Sequence, residues 1–174
     1  MSSRATTRCA RALGRAVFAI VLIFASDTYA QRSAEASAGP FAGLSGSWSG
    51  GGTVTLSNGS NERIRCRASY AVGGGGNNLQ QQLRCASDSY TFQLYGNVTH
   101  SGGQISGTWS EATRNIGGNV SGRASGGQVQ AVILGPAFAA SLSVTTRGDR
   151  QSVSIRSEGT EVANVSITLS RGSR

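Results

Sequence analysis

Side chains able to carry out chemistry are scarce in this chain. Its 174 residues include one histidine and eight acidic residues. The histidine, His100, could ligate heme or join a Ser-His-Asp triad, but no Gly-x-Ser-x-Gly segment presents a nucleophile. The surrounding Thr99–Gly102 segment is typical of an exposed turn. One histidine and two cysteines beyond the amino-terminal segment do not make a metal site. We therefore expect a protein that is not an enzyme and has no cofactor or metal.

One carboxylate lies away from the predicted turns. Glu111 follows Trp109 by two residues, so the two side chains share one face of a strand. Glu111 could be a polar group at the mouth of a barrel, where it would orient a ligand. The alternative is a salt bridge at the end of a strand, made to Arg114.

Three arginines form a basic stripe, which is the set Arg65, Arg67 and Arg84. They share the polar face of a predicted hairpin, with Arg67 opposite Arg84, and like charges in that position repel. An anionic partner, such as a phosphate-bearing component of the cell envelope, would compensate, whereas the alternative is a solvated face. Nucleic acid is not expected, because the aromatic residues do not alternate with this stripe.

Composition and the amino-terminal segment point to export. All 16 basic residues are Arg, against 8 acidic residues, for a formal net charge of +8. Residues 1–30 have the features of a signal peptide, with arginines before the apolar run Ala16–Ala25 and a cleavage site at Thr28–Ala30. Cleavage after Ala38 is the alternative. The apolar run is shorter than the about 20 residues that span a bilayer. We expect a periplasmic or secreted protein that is not embedded in a membrane after signal cleavage.

The rest of the chain is predicted to be a flexible lead-in at residues 31–40 and a β-barrel domain at residues 41–171. From Phe41 onward, apolar and polar residues alternate with period two between Gly/Asn/Ser/Asp turns, so helix should be scarce. We predict an all-β fold, a roughly ten-stranded antiparallel up-and-down barrel or flattened barrel, because an open sheet of this size would leave exposed edges. The predicted strands are 46–56, 62–72, 79–87, 90–99, 103–111, 116–124, 128–135, 137–146, 150–157 and 161–170.

The second hairpin is the best specified part of the fold. Cys66 and Cys85 form an even pair in an exported chain, which predicts one disulfide. Placing them opposite each other puts the turn inside Gly73–Asn78 and pairs apolar residues on the cysteine face. A slip of one residue would bury the arginines instead.

A short motif resembles a known superfamily. Gly46-Ser47-Trp48 opens the first strand and has a counterpart at Gly107-Thr108-Trp109. It resembles the Gly-x-Trp motif of the calycin barrels, of the lipocalin, avidin and nitrobindin kind, which implies a calycin-like fold, a tryptophan at the closed end and a small-molecule ligand. The chain also resembles exported bacterial β-barrel proteins with an RCRASY…RCAS pattern, here Arg65–Tyr70 and Arg84–Ser87. It has no second lipocalin motif and no avidin-like aromatic set for biotin.

The resemblance implies where a ligand would bind. If the Gly-x-Trp end is closed, the open mouth lies at the far end of the first strand, beside the Ser57–Asn61 loop. The residues predicted to line it are Tyr90, Phe92, Trp109, Glu111 and Arg114. The alternative is that the aromatic residues only fill the core. Two functions follow: a non-catalytic exported barrel that binds an apolar or amphipathic small molecule, or a structural or interaction protein of the envelope with a filled barrel.

Overall fold

The computed structural model describes residues 38–172. The predicted signal peptide at residues 1–30 lies outside the described residues, as does most of the predicted lead-in. The described chain is almost entirely strand, with short 3-10 helices at Ala42–Leu44 and Gly74–Gly76. None of its helices is long and apolar enough to cross a membrane. The strands are β1 (Gly46–Leu56), β2 (Asn61–Gly73), β3 (Asn78–Ala86), β4 (Thr91–Ser101), β5 (Gln104–Glu111), β6 (Ile116–Ser125), β7 (Gln128–Leu134), β8 (Ala139–Arg147), β9 (Arg150–Ser157) and β10 (Val162–Arg171).

The ten strands form one closed antiparallel barrel. Each strand pairs with its neighbours along the chain, and β1 pairs with β10, so that Val54 lies opposite Val165. Closure removes the two edges that an open sheet would expose. The predicted ten-stranded up-and-down barrel is confirmed.

The hairpin of β2 and β3 has the predicted register. Cys66 lies opposite Cys85 in a disulfide with a Cα–Cα distance of 4.1 Å. The turn falls at Gly74–Gly76, where all three glycines have a positive φ. Arg67 and Arg84 face each other on the outer surface, as the sequence indicated. The disulfide and the register are therefore confirmed.

Side chains alternate between the interior and the solvent along the strands. In β2 every second residue from Ile64 to Tyr70 is buried and the intervening residues are exposed. All ten strands contribute to one apolar cluster inside the barrel. The outer surface carries Ser, Thr, Gln and Arg, which is the distribution that period-two alternation predicts.

Trp48 packs at the end of the barrel where β1 begins, which we call the closed end. Its indole is 1% exposed, and Nε1 donates a hydrogen bond of 2.8 Å to the carbonyl of Leu44. The guanidinium of Arg171 lies 4.4 Å from the ring centroid and also binds Asp149, with 2.9 Å between Nε and Oδ1. Trp48 is thus held on several sides, and its role is structural.

The segment before β1 covers the closed end. Phe41 is 1% exposed, and its amide donates to the carbonyl of Gly76 at 3.0 Å. Gly39 approaches the β2–β3 turn so closely that a Cβ there would lie 2.4 Å from the carbonyl carbon of Gly76. Glycine at residue 39 therefore lets this segment seat Phe41 in the barrel.

Candidate ligand-binding site

The barrel interior contains unfilled space. A cavity of about 330 Å³, the outer chamber, lies behind the open end formed by the β1–β2, β3–β4, β5–β6, β7–β8 and β9–β10 loops. A second cavity of about 260 Å³, the inner chamber, extends toward Phe41. The chambers adjoin each other, because they share Leu83, Leu94, Trp109, Phe138, Ala140, Ile155 and Ile167 as lining. The structure brings the five predicted mouth residues together in the outer chamber, namely Tyr90, Phe92, Trp109, Glu111 and Arg114.

Trp109 forms the wall between the two chambers. It lies on β5 between Gly96 of β4 and Gly118 of β6. A Cβ on Gly118 would lie 3.0 Å from the indole Nε1, so the ring occupies space that a side chain at residue 118 would take. Nε1 donates to the carbonyl of Leu134 at 3.0 Å, and the ring packs against Phe138 with 5.7 Å between centroids. These contacts hold the Trp109 ring in one orientation.

Two aromatic rings line the mouth. Tyr90 and Phe92 are stacked, with 6.1 Å between centroids and 14° between planes. The guanidinium of Arg114 lies 5.0 Å from the Phe92 centroid. The Tyr90 hydroxyl donates to Glu161 Oε1 at 2.7 Å, and this hydrogen bond raises the pKa of Tyr90. The mouth therefore presents flat apolar faces with charged groups at the rim.

Glu111 is buried and ionised. Its side chain accepts hydrogen bonds from three backbone amides, those of Gln93 at 3.0 Å, Thr113 at 2.9 Å and Arg114 at 2.7 Å. Burial raises the pKa of Glu111, but these hydrogen bonds outweigh it and bring the pKa to about 2. Arg114 Nη1 is 3.6 Å from Oε2, so the predicted strand-end ion pair forms. The carboxylate thus closes the β5–β6 turn and also lines the chamber.

The inner chamber has a polar corner. The Tyr70 hydroxyl donates to Gln151 Oε1 at 2.8 Å, and Gln151 Nε2 donates to Thr146 Oγ1 at 3.1 Å. Burial raises the pKa of Tyr70 to about 12. Sequence reasoning missed Gln151, although a glutamine in phase with Val153 and Ile155 is a signal for an inward polar group.

Two more lining residues escaped the sequence analysis. Phe138 lies just before β8 but inside the predicted strand 137–146, and its signal was its phase with Leu142 and Val144. Gln81 lies on the inward face of β3 and lines the inner chamber. The sequence indicated this inward position, because Gln81 is two residues from both Leu79 and Leu83 and so shares their face of β3.

The expectation that His100 is an exposed turn residue was wrong. β4 continues to Ser101, and this extension makes residue 100 an inward, half-buried position. Its Nδ1 lies 2.8 Å from Asn77 Oδ1, and its ring packs edge-on against Phe41. Nowhere in residues 38–172 do three or more His, Cys, Asp or Glu side chains come together as a metal site.

The basic stripe lies on the outer face, apart from the cavity. Arg65, Arg67 and Arg84 are exposed, and within residues 38–172 none of them forms an ion pair. A shallow groove of about 430 Å³ runs beneath them, beside Ser49 and Gly50.

The fold and its open interior define the class as a closed, ten-stranded antiparallel β-barrel. Solved structures that share this fold include "Crystal Structure of Rv2717c from M. tuberculosis", with a TM-score of 0.61 and 16% identity over 76% of this chain and 94% of that one. A second is "Structure of S-type Phycobiliprotein Lyase CPES from Guillardia theta", with a TM-score of 0.52 and 12% identity over 77% of this chain and 91% of that one. At such identities the likeness concerns the fold alone. The sequence matches no protein-family model and no curated protein.

Proposed function

We propose that this protein is a non-catalytic barrel that binds a small apolar or amphipathic molecule. The observation behind this proposal is the interior space of two adjoining chambers, open at one end and lined mostly by apolar and aromatic side chains. The outer chamber, about 330 Å³, lies at the small end of the range for ligand sites, which begins at roughly 300 Å³, and the inner chamber, about 260 Å³, lies just below it. A mostly apolar molecule of modest size would fit.

The same space argues against a filled barrel with only a structural role. Inward positions of the wall are occupied by small residues, such as Gly96 and Ala140, where larger side chains would fill the interior. Barrels of about eight strands are filled or hold one small ligand, so ten strands leave more room. Empty apolar space costs stability, and a bound ligand would recover that loss.

The polar groups at the mouth support binding more than catalysis. The Glu111 carboxylate is bonded to three backbone amides, and the Tyr90 hydroxyl is bonded to Glu161. Neither group is poised to take or give a proton near neutral pH, because the pKa of Glu111 is about 2 and the pKa of Tyr90 is raised.

A matched pair of variants tests the proposal. Ala140 lines both chambers, whereas Ala139, its neighbour on β8, is exposed on the outer face. We expect saturable binding of the apolar dye N-phenyl-1-naphthylamine to the purified protein with its disulfide intact. Ala140→Phe should weaken it at least tenfold, and Ala139→Phe should not.

Thermal unfolding confirms that each variant folds, and Ala140→Leu replaces Ala140→Phe if the larger side chain prevents folding. Absence of saturable binding to the wild-type protein, or equal binding by the variants at residues 139 and 140, would contradict the proposal.

We further propose that the protein acts outside the cytoplasm, in the periplasm or as a secreted protein. The Cys66–Cys85 disulfide supports this location, because disulfides persist in oxidising compartments. The test is mass spectrometry of the protein recovered from osmotic-shock fluid or medium of its own host. A cleaved amino terminus near residue 31 or 39 is expected, and an intact amino terminus in the cytosol would contradict the location.

The basic stripe suggests a second partner, an anionic component of the envelope. Arg67 and Arg84 face each other without an ion pair in the described chain, so an anion that bridges them would relieve their repulsion. Vesicles with phosphatidylglycerol, compared with phosphatidylcholine alone, test this. We expect binding to the anionic vesicles only, lost in Arg67→Gln/Arg84→Gln and retained in the control Arg123→Gln. Equal binding to both vesicles would refute it.

A further inference from the structure

Gln81 brings an amide into an otherwise apolar part of the barrel. It is the middle residue of Gln80-Gln81-Gln82 on β3, and it lies opposite Tyr70 on β2 and Gly96 on β4. Gln80 and Gln82 are exposed on the outer face, whereas Gln81 has the same phase as the buried Leu79 and Leu83.

Gly96, which lies opposite Gln81 on β4, has no side chain and so leaves space beside Gln81. A Cβ built on Gly96 would be 3.7 Å from the Cβ of Gln81, so any larger side chain at residue 96 would compete for the same volume. Gln81 is half-buried and lines the inner chamber. Gln81 therefore adds an amide side chain to the mostly apolar lining of this chamber.

The amide of Gln81 has no hydrogen-bond partner within residues 38–172. Gln151 in the same chamber differs, because Tyr70 and Thr146 bond to both of its amide atoms. Gln81 is half-buried, so solvent can reach its amide when the chamber is empty. A ligand that enters the chamber displaces that solvent, and the amide then loses hydrogen bonds at a cost in free energy. A ligand that supplies the partner would remove this cost.

Resting on the proposed binding function, we propose that Gln81 determines ligand specificity. The ligand class is a mostly apolar molecule with a neutral carbonyl, hydroxyl or amide group in the part that enters the inner chamber. An amide side chain both donates and accepts, so it can bind any of these groups. A plain hydrocarbon would leave Gln81 unpaired, and sites of this kind reject analogues that lack the polar group.

A ligand pair and a variant pair test this assignment. Tetralin and 1-tetralone differ by one carbonyl, and the dissociation constant of each is measured by displacement of N-phenyl-1-naphthylamine. Gln81→Met keeps the side-chain length and removes the amide, and Gln80→Met makes the same change on the outer face. We expect the preference for 1-tetralone to fall roughly three- to tenfold in Gln81→Met, the range for one hydrogen bond. It should be unchanged in Gln80→Met.

Stability of the empty protein provides a second readout. We expect Gln81→Met to unfold at or above the wild-type temperature, because no hydrogen bond within the protein is lost. A clear fall in that temperature would show a structural role and overturn the assignment. An unchanged preference in Gln81→Met, while both ligands still bind, would overturn it and leave the proposed function standing. Failure of the dye and of both ligands to bind the wild-type protein would overturn both.

Discussion

Replacement of Trp109 by alanine should affect stability and binding separately. Truncating a buried aromatic side chain costs about 3–5 kcal/mol. Trp109 is only half-buried and its hydrogen bond to the Leu134 carbonyl is exposed, so we expect a cost at the low end of that range, about 3 kcal/mol. A ligand that covers about 50 Å² of the indole would lose about 1.3 kcal/mol at ~25 cal/mol/Å², or roughly tenfold in dissociation constant.

The control for this change is Leu56→Ala. Leu56 is buried in the same apolar cluster but is not part of the lining of either chamber, and its truncation costs a similar amount, about 2–5 kcal/mol. Chemical unfolding gives the stability of each variant. Displacement of N-phenyl-1-naphthylamine, at a temperature where both variants are folded, gives the affinity without a contribution from unfolding.

Either of two results would refute this account of Trp109. If Trp109→Ala weakens dye binding no more than Leu56→Ala does, Trp109 only fills the core and the outer chamber is not the binding site. If Trp109→Ala leaves stability unchanged, the contacts with Leu134 and Phe138 do not hold the wall as described.

Three further predictions concern the rest of the barrel. The double variant Cys66→Ser/Cys85→Ser should lose about 3 kcal/mol in denaturant unfolding, because the disulfide closes a loop with a sequence separation of 19, and an unchanged midpoint would contradict this. Since the pKa of Glu111 falls from 4.5 to about 2 on folding, its stabilisation is complete above pH 4.5 and is lost as the pH falls toward 2. Unfolding measured across that range should therefore vary less with pH in Glu111→Gln than in wild type or the exposed control Glu158→Gln, and parallel curves would contradict it. Arg84→Gln should raise stability by about 0.2–1 kcal/mol at low salt and by less at high salt, because it removes one of two opposed like charges. A loss of stability at low salt would contradict that reasoning.

Much of the fold could be predicted from the sequence because its information is local. Strand positions follow from period-two alternation between turn residues, and the ten predicted strands agree with the observed ones to within two residues at each end. The pairing of Cys66 with Cys85 follows because both the glycine turn and the apolar face require the same register. The gathering of Tyr90, Phe92, Trp109, Glu111 and Arg114 at the mouth followed from the Gly-x-Trp resemblance together with alternation.

The errors and omissions lie where a strand ends or where distant strands meet. His100 was misplaced because β4 continues into the predicted turn as far as Ser101, and the pairing with β5 that extends it is not visible in the residues around position 100. Phe138 lies in the predicted strand 137–146, in phase with Leu142 and Val144, but its contact with Trp109 joins β5 to the segment before β8, which are distant in the chain. The backbone bonds that keep Glu111 ionised depend on the path of the β5–β6 turn.

By itself, the sequence determined the strands, their faces, the hairpin register and the disulfide, since each depends on residues near one another in the chain. Tertiary structure alone decided the register of β1 against β10, the volume of the two chambers and, within residues 38–172, the lack of a partner for Gln81. These properties arise from closure. Bringing β1 against β10 sets how far apart the inward side chains of opposite strands stand, and that separation determines whether they fill the interior or leave space for a ligand.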